Sequence, residues 1–208
     1  MNKAQLRERC KLHLAIPEAG DGILTDGRLD DLMAEGLTRL ASDHDWPWLV
    51  TSGTVTFAAT TGIGALPTGF VKARELMISD RPVQYVPLPE YLDTSARSSR
   101  YVWTITGTNG RLSPAPTAST DGTLWYYRTE PAMTADTDEP LLPAQHQPVA
   151  VAFAVHLACL ARQDDRRAQL WFGEYEQGMK AMRDDLRQSV APRRVRVVTN
   201  RPLYATWS

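Results

Sequence analysis

The chain has 208 residues, of which 43% are apolar and 23% charged, a balance that suits one folded core and argues against global disorder. Its formal net charge of −1 supplies no global field to attract DNA or an anionic membrane, so an electrostatic partner has to be met by a local patch. The two cysteines, Cys10 and Cys159, lie far apart and outside any C-x-x-C spacing, which suits a reducing compartment and two core thiols rather than a disulfide framework.

The N-terminal MNKAQLRERC is charged, without the apolar stretch or small-residue cleavage site of a signal peptide. Leu6, Cys10 and Leu14 recur at i, i+4 and i+8, predicting a short helix over about 4–15 that Pro17 ends. A second helix is expected over 26–44, capped at Thr25 or Asp26 with Asp30 and Asp31 in its first turn. Its buried stripe is Leu29, Leu32, Met33, Gly36, Leu37 and Leu40. Pro47 then holds Trp46 in an extended conformation, so the chain leaves the helix at DWPWL, Asp45 to Leu49.

From Thr51 the chain becomes rich in Thr and Val with glycine turns, predicting a small antiparallel β lobe over 51–130. Its strands are expected at 73–78, 82–86, 101–106 and 124–129. Asn109-Gly110 reads as a hairpin turn between YVWTIT and a short strand around Leu112. After a proline-punctuated connector, 147–162 is apolar nearly all round, as a central helix should be. Its longest apolar run, Val149 to Ala161, is broken by His156 and falls short of the roughly 20 residues that span a bilayer. A last helix over 165–189 carries Trp171, Tyr175, Met179, Met182 and Leu186 on one face, and Pro192 closes it. The order predicts an α+β fold: a helical bundle from the N- and C-terminal helices with an inserted antiparallel β lobe and an extended C-terminal arm. On this reading residues 1–189 form one domain and 190–208 the arm.

Candidate chemistry is thin. None of His13, His44, His146 and His156 has a catalytic or metal-binding spacing. His156 and Cys159 share a helix face, but a zinc site needs about four donors and no second pair exists, so both are read as packing. His44-Asp45 invites a general-base reading, against which a polar helix end before a tryptophan anchor is the plainer one. Asp136 to Glu139, DTDE, lacks the glycine and distal glutamate of a calcium loop and reads as a solvated loop. GIGALPTG has no following lysine or helix to make a phosphate cradle, and no G-x-S-x-G is present. No enzyme, no cofactor and no metal are expected.

The helix ending in DWPWL, then ALPTGFVKARELMI, RLSPAPTASTDGTLWYYRTEPAMT, EPLLPAQHQPVAVAFAVHLA and a helix-plus-tail ending follow one another in a single order. Over about Leu29 to Ser208 this series resembles the head-to-tail adaptor (connector) proteins of tailed bacteriophages, particularly those that sit beneath the portal of short-tailed phages. The resemblance implies a structural virion protein of the head-tail neck, assembled in the host cytoplasm. It would form a homo-oligomeric ring, commonly of twelve copies, that docks on the portal protein, completes the DNA-filled head and offers a platform to a tail tube or nozzle protein. Contact with genomic DNA would be transient and non-specific, and no membrane is involved.

The resemblance also gives the basic end a purpose, since such C-terminal segments reach up to the portal. Residues 190–208, fully extended, span about 60 Å. Arg193, Arg194, Arg196 and Arg201 would face portal carboxylates, with Tyr204 and Trp207 as aromatic anchors; a solvated tail is the bland alternative. Trp46, Pro47 and Trp48 are expected to wedge the seam between helices and β lobe, because no basic groove accompanies them to make a DNA-stacking surface. Two other readings stay open: a tail-completion or neck protein, and a nucleic-acid-binding module that uses the arm's arginines on phosphates.

Overall fold

The computed structural model describes residues 1–16, 22–94 and 100–190. Among them the elements run α1 (Lys3–Leu14), α2 (Asp26–Asp43), a single 3-10 turn (Pro47–Leu49), β1 (Val50–Phe57), β2 (Ile63–Ala65), β3 (Phe70–Ile78) and β4 (Arg81–Tyr85). There follow α3 (Leu88–Thr94), β5 (Val102–Thr106), β6 (Asn109–Ser113), β7 (Thr120–Arg128), α4 (Gln147–Ala161) and α5 (Asp165–Val190). The fold is α+β, with five α-helices and one seven-stranded sheet among the described residues.

The termini of α1 are built locally. Asn2 and Gln5 form a reciprocal capping box, each backbone N–H donating to the other's side-chain oxygen at 2.9 Å. The next two donors, the N–H groups of Lys3 and Ala4, reach the carbonyls of Asp138 and Asp136 at 2.8 and 3.2 Å. The connector before α4 therefore closes the start of α1. At the other end Ala15 turns left-handed (φ 53°) and its N–H returns to Leu12 and Lys11. Pro17, the expected terminator, lies outside the described residues, and the helix has already ended at Leu14.

In α2 the Thr25 hydroxyl accepts the N–H of Arg28 at 3.3 Å. Because the helix starts at Asp26, only that acid lies in its first turn; Asp30 and Asp31 fall one turn later, a correction to the expected dipole arrangement. Asp30 instead receives Lys3 at 3.0 Å and Arg7 at 2.9 Å, tying α1 to α2.

The apolar α4 packs against α1, α2 and α5. Two glycines allow the close approach. A Cβ on Gly36 of α2 would stand 3.1 Å from the Ala150 carbonyl, and one on Gly178 of α5 would stand 2.6 Å from Val149. The α5 face carries the expected stripe, with Tyr175, Met179 and Met182 buried and Trp171 and Leu186 half-buried.

The sheet order is β1-β7-β3-β4-β5-β6-β2. Its pairs are antiparallel except β4 and β5, which run parallel because α3 carries the chain across between them. This corrects the wholly antiparallel lobe expected from sequence. The hairpin near Asn109 exists but turns two residues earlier: Thr106 pairs with Asn109 around Gly107-Thr108, with Gly107 at φ +59°. A glycine at the first central position is what a type II′ turn uses. The sheet curls until its ends meet, with the Ala58 N–H bonded to the Ile63 carbonyl at 3.0 Å and Gly64 lying flat against Val55. Phe57, Leu76, Trp103, Leu112 and Leu124 fill its interior.

Candidate functional site

The DWPWL corner joins helices to sheet. Asp43 ends α2, His44 and Trp46 are extended, and Pro47 opens the 3-10 turn that delivers Val50 to β1. The Trp46 side chain is fully buried, and its indole N–H donates to the Leu40 carbonyl at 2.6 Å, one of the acceptors a helix end leaves without an intrahelical partner. Trp48, half-buried, lies parallel to Trp46, and His44 meets Trp46 edge-on at 5.0 Å. Pro47 is exposed. Both tryptophans belong to one cluster with Leu40, Leu142, Met182 and Tyr127, hence with α2, the connector, α5 and β7.

Ion pairs surround this corner. Asp45 holds Lys72 of β3, and Asp43 holds Arg183 of α5. In the connector, Glu130 accepts the Leu141 N–H at 2.6 Å; burial pushes its carboxyl up, against the opposing pull of that bond and of Arg128. Lys72, Arg183 and Glu130 are not marked by any local pattern, since their partners lie far away in sequence.

The acids of DTDE are structural. Asp138 accepts the backbone N–H groups of Thr134 and Ala135 at 2.8 Å each, which hold its carboxyl below the usual range. Asp136 receives Arg7 at 2.9 Å. The loop is exposed, as a solvated loop should be, and its side chains and carbonyls also organise the start of α1.

His156 and Cys159 do not face a common ligand. Cys159 is buried among α1, α2 and α4 side chains, and burial raises its thiol. His156 is half-buried between Phe153 and Phe172, its Nδ1 2.8 Å from the Ala168 carbonyl. It lines a groove of about 960 Å³ between α2, α4 and α5. Cys10 has no exposed surface, and burial pushes its thiol up to about 12. His13 stands 4.7 Å from the Trp171 ring. Among the described residues no group of three or more His, Cys, Asp or Glu side chains could hold a metal ion, and no helix is long and apolar enough to cross a membrane.

Arg193, Arg194, Arg196, Arg201, Tyr204 and Trp207 lie outside the described residues, as does Pro192. What is described is the helix that leads there: Arg183 and Leu186, in the last turns of α5, sit against Asp43 and the tryptophan cluster.

The family model described as SU10 adaptor protein matches residues 1–197. No curated protein matches the chain.

Proposed function

The chain belongs to the SU10 adaptor protein family, and from that premise we propose that it is a phage head-to-tail adaptor that forms a ring beneath the portal. The family match over residues 1–197 carries this reading. In it, α1, α2, α4 and α5 act as one bundle within a single domain of residues 1–189, and the sheet is the lobe that this bundle presents. The ring, twelve copies being the common number, completes the DNA-filled head and offers a platform to the tail component. The protein is thereby a virion component whose partners are copies of itself, the portal and a tail tube or nozzle protein.

The role is structural rather than catalytic. Supporting it, His156 packs against two phenylalanines and a carbonyl, and His44, though exposed, rests edge-on against Trp46. Residues 190–208 are the docking arm. The segment contains four arginines and no Asp or Glu, and α5 leads toward it from the helix-to-sheet seam. Ordering such an arm costs on the order of 20 kcal/mol in backbone entropy, which only a large contact surface can offset. Repetition around a ring multiplies modest contacts into firm attachment.

Deleting residues 190–208 tests this assignment. The truncated chain is expected to stay folded and to lose attachment to portal rings in co-sedimentation. Normal attachment by the truncated chain would overturn it, and loss of folding would place the segment in the core instead.

A further inference from the structure

β3 and β4 begin as a tight hairpin and then part. They pair only at Leu76 with Val83, Met77 with Pro82 and Ile78 with Arg81. Beyond Val83, β4 turns to β5, pairing in parallel through Gln84 and Tyr85. Residues Phe70 to Glu75 of β3 thus have β7 on one side and no strand on the other among the described residues. Backbone donors and acceptors on such an edge form a template for another strand.

The gap between the diverging strands is a cleft of about 810 Å³. Phe70, Val71, Val83, Tyr85, Trp103 and Ile105 line it from both walls, with Val71 58% and Tyr85 50% exposed. An open edge beside apolar side-chain pockets is the arrangement by which an extended segment is captured: main-chain bonds supply affinity, and the pockets take alternate side chains.

Charge selects the occupant. Two cations, Lys72 and Arg74, and one acid, Glu75, line the cleft. Lys72 is already held by Asp45. Arg74 is exposed and makes no ion pair among the described residues. Cationic guards on an edge repel the same edge of a second copy, and they repel an arginine-rich strand such as RRVRVV of this chain's own end. A strand that places a carboxylate at Arg74, and an uncharged residue at Glu75, avoids like-charge repulsion and gains a partner in Arg74. The stretch of β3 left open, Phe70 to Glu75, is six residues or about 20 Å, and register shifts against β7 at Val71 and Arg74 bend it.

We propose that the cleft between β3 and β4 is a strand-addition site for an extended, acidic and aliphatic segment of a partner protein, which pairs with β3 along Phe70 to Glu75 and places a carboxylate at Arg74. The inference rests on the adaptor reading only for where that partner comes from, a head or tail component. The site itself would stand if the portal assignment failed.

The test uses the full chain and two labelled synthetic hexapeptides, one alternating valine with glutamate and the other valine with lysine. Binding is read by fluorescence anisotropy, and its place by hydrogen exchange of those amides of residues 71–75 that point away from β7. The acidic peptide is expected to bind, to slow exchange at those amides, and to be preferred over the lysine peptide. Arg74→Glu, checked for an unchanged circular dichroism spectrum, should weaken the acidic peptide by about tenfold and invert the preference. Four results would overturn the proposal: no protection at the outward amides of 71–75, protection confined to another surface, equal or stronger binding of the lysine peptide, or those outward amides already protected in the free chain by its own end or by a second copy.

Discussion

The ring of Trp48 lies on that of Trp46, centres 4.7 Å apart and planes 17° from parallel, at the point where α2 gives way to β1. If this pair wedges the seam, Trp46→Ala should destabilise the fold by about 3 to 5 kcal/mol in urea melts. Trp48→Ala should cost less, because that ring is only half-buried. Trp46→Phe should fall between them, keeping most of the ring but leaving the Leu40 carbonyl without its donor, at about 1 to 3 kcal/mol. Unchanged midpoints for both alanine variants would refute the wedge.

The α5 glycines make a matched pair. Adding a methyl at Gly178 puts it 2.6 Å from Val149, a β-branched side chain with little rotamer freedom, so Gly178→Ala should cost about 1 to 3 kcal/mol. At Gly173 the methyl meets nothing within 4 Å, and Gly173→Ala should stabilise by about 0.5 to 1 kcal/mol through helix propensity alone. Equal effects in thermal melts would contradict the close α4–α5 approach.

The β3–β4 turn places Ser79 and Asp80 at φ 50° and 58°, the two left-handed positions of a type I′ hairpin, without a glycine at either. Asp80→Gly should remove a penalty of about 1 kcal/mol and raise the melting temperature. A lowered melting temperature would mean that the Asp80 side chain contributes more than its backbone conformation costs.

Acid titration should separate two classes of carboxyl. Burial raises Glu130 above the ordinary value of about 4.3, so in the window between that value and its folded one the folded chain holds the extra proton, and stability grows as pH falls. Asp26 is held low by Lys11, and Asp138 by the Ala135 and Thr134 amides. Their contributions are complete above the unfolded aspartate value and are lost as pH falls through their lower folded values. Glu130→Gln keeps an acceptor for the Leu141 N–H, so it should be more stable than the parent at neutral pH, with the gap closing by about pH 4. An identical pH profile for parent and variant would contradict the burial effect.

The helices were legible because their information is local. Leu29 through Leu40, and Tyr175 through Met182, repeat at helical spacing and are buried where that spacing puts them. The Asn109-Gly110 signal misled because Gly107, at φ +59°, supplies the turn two residues earlier, and Asn109 and Gly110 already pair with Thr106 and Ile105 inside the β5–β6 ladder. The helix α3 is seven residues with Pro89 in its first turn, too short for a periodic pattern to show. The seam ion pairs and the cleft beside β3 depend on strand order and on pairs such as Asp45 with Lys72, which no single window of sequence contains.

The adaptor account is tested most directly by measuring the mass of the purified full chain, alone and after addition of portal rings from the same phage. The account predicts a monomer that assembles into a ring on the portal, with the twelve copies common in such rings. A chain that stays monomeric and unbound in the presence of intact portal rings would contradict it.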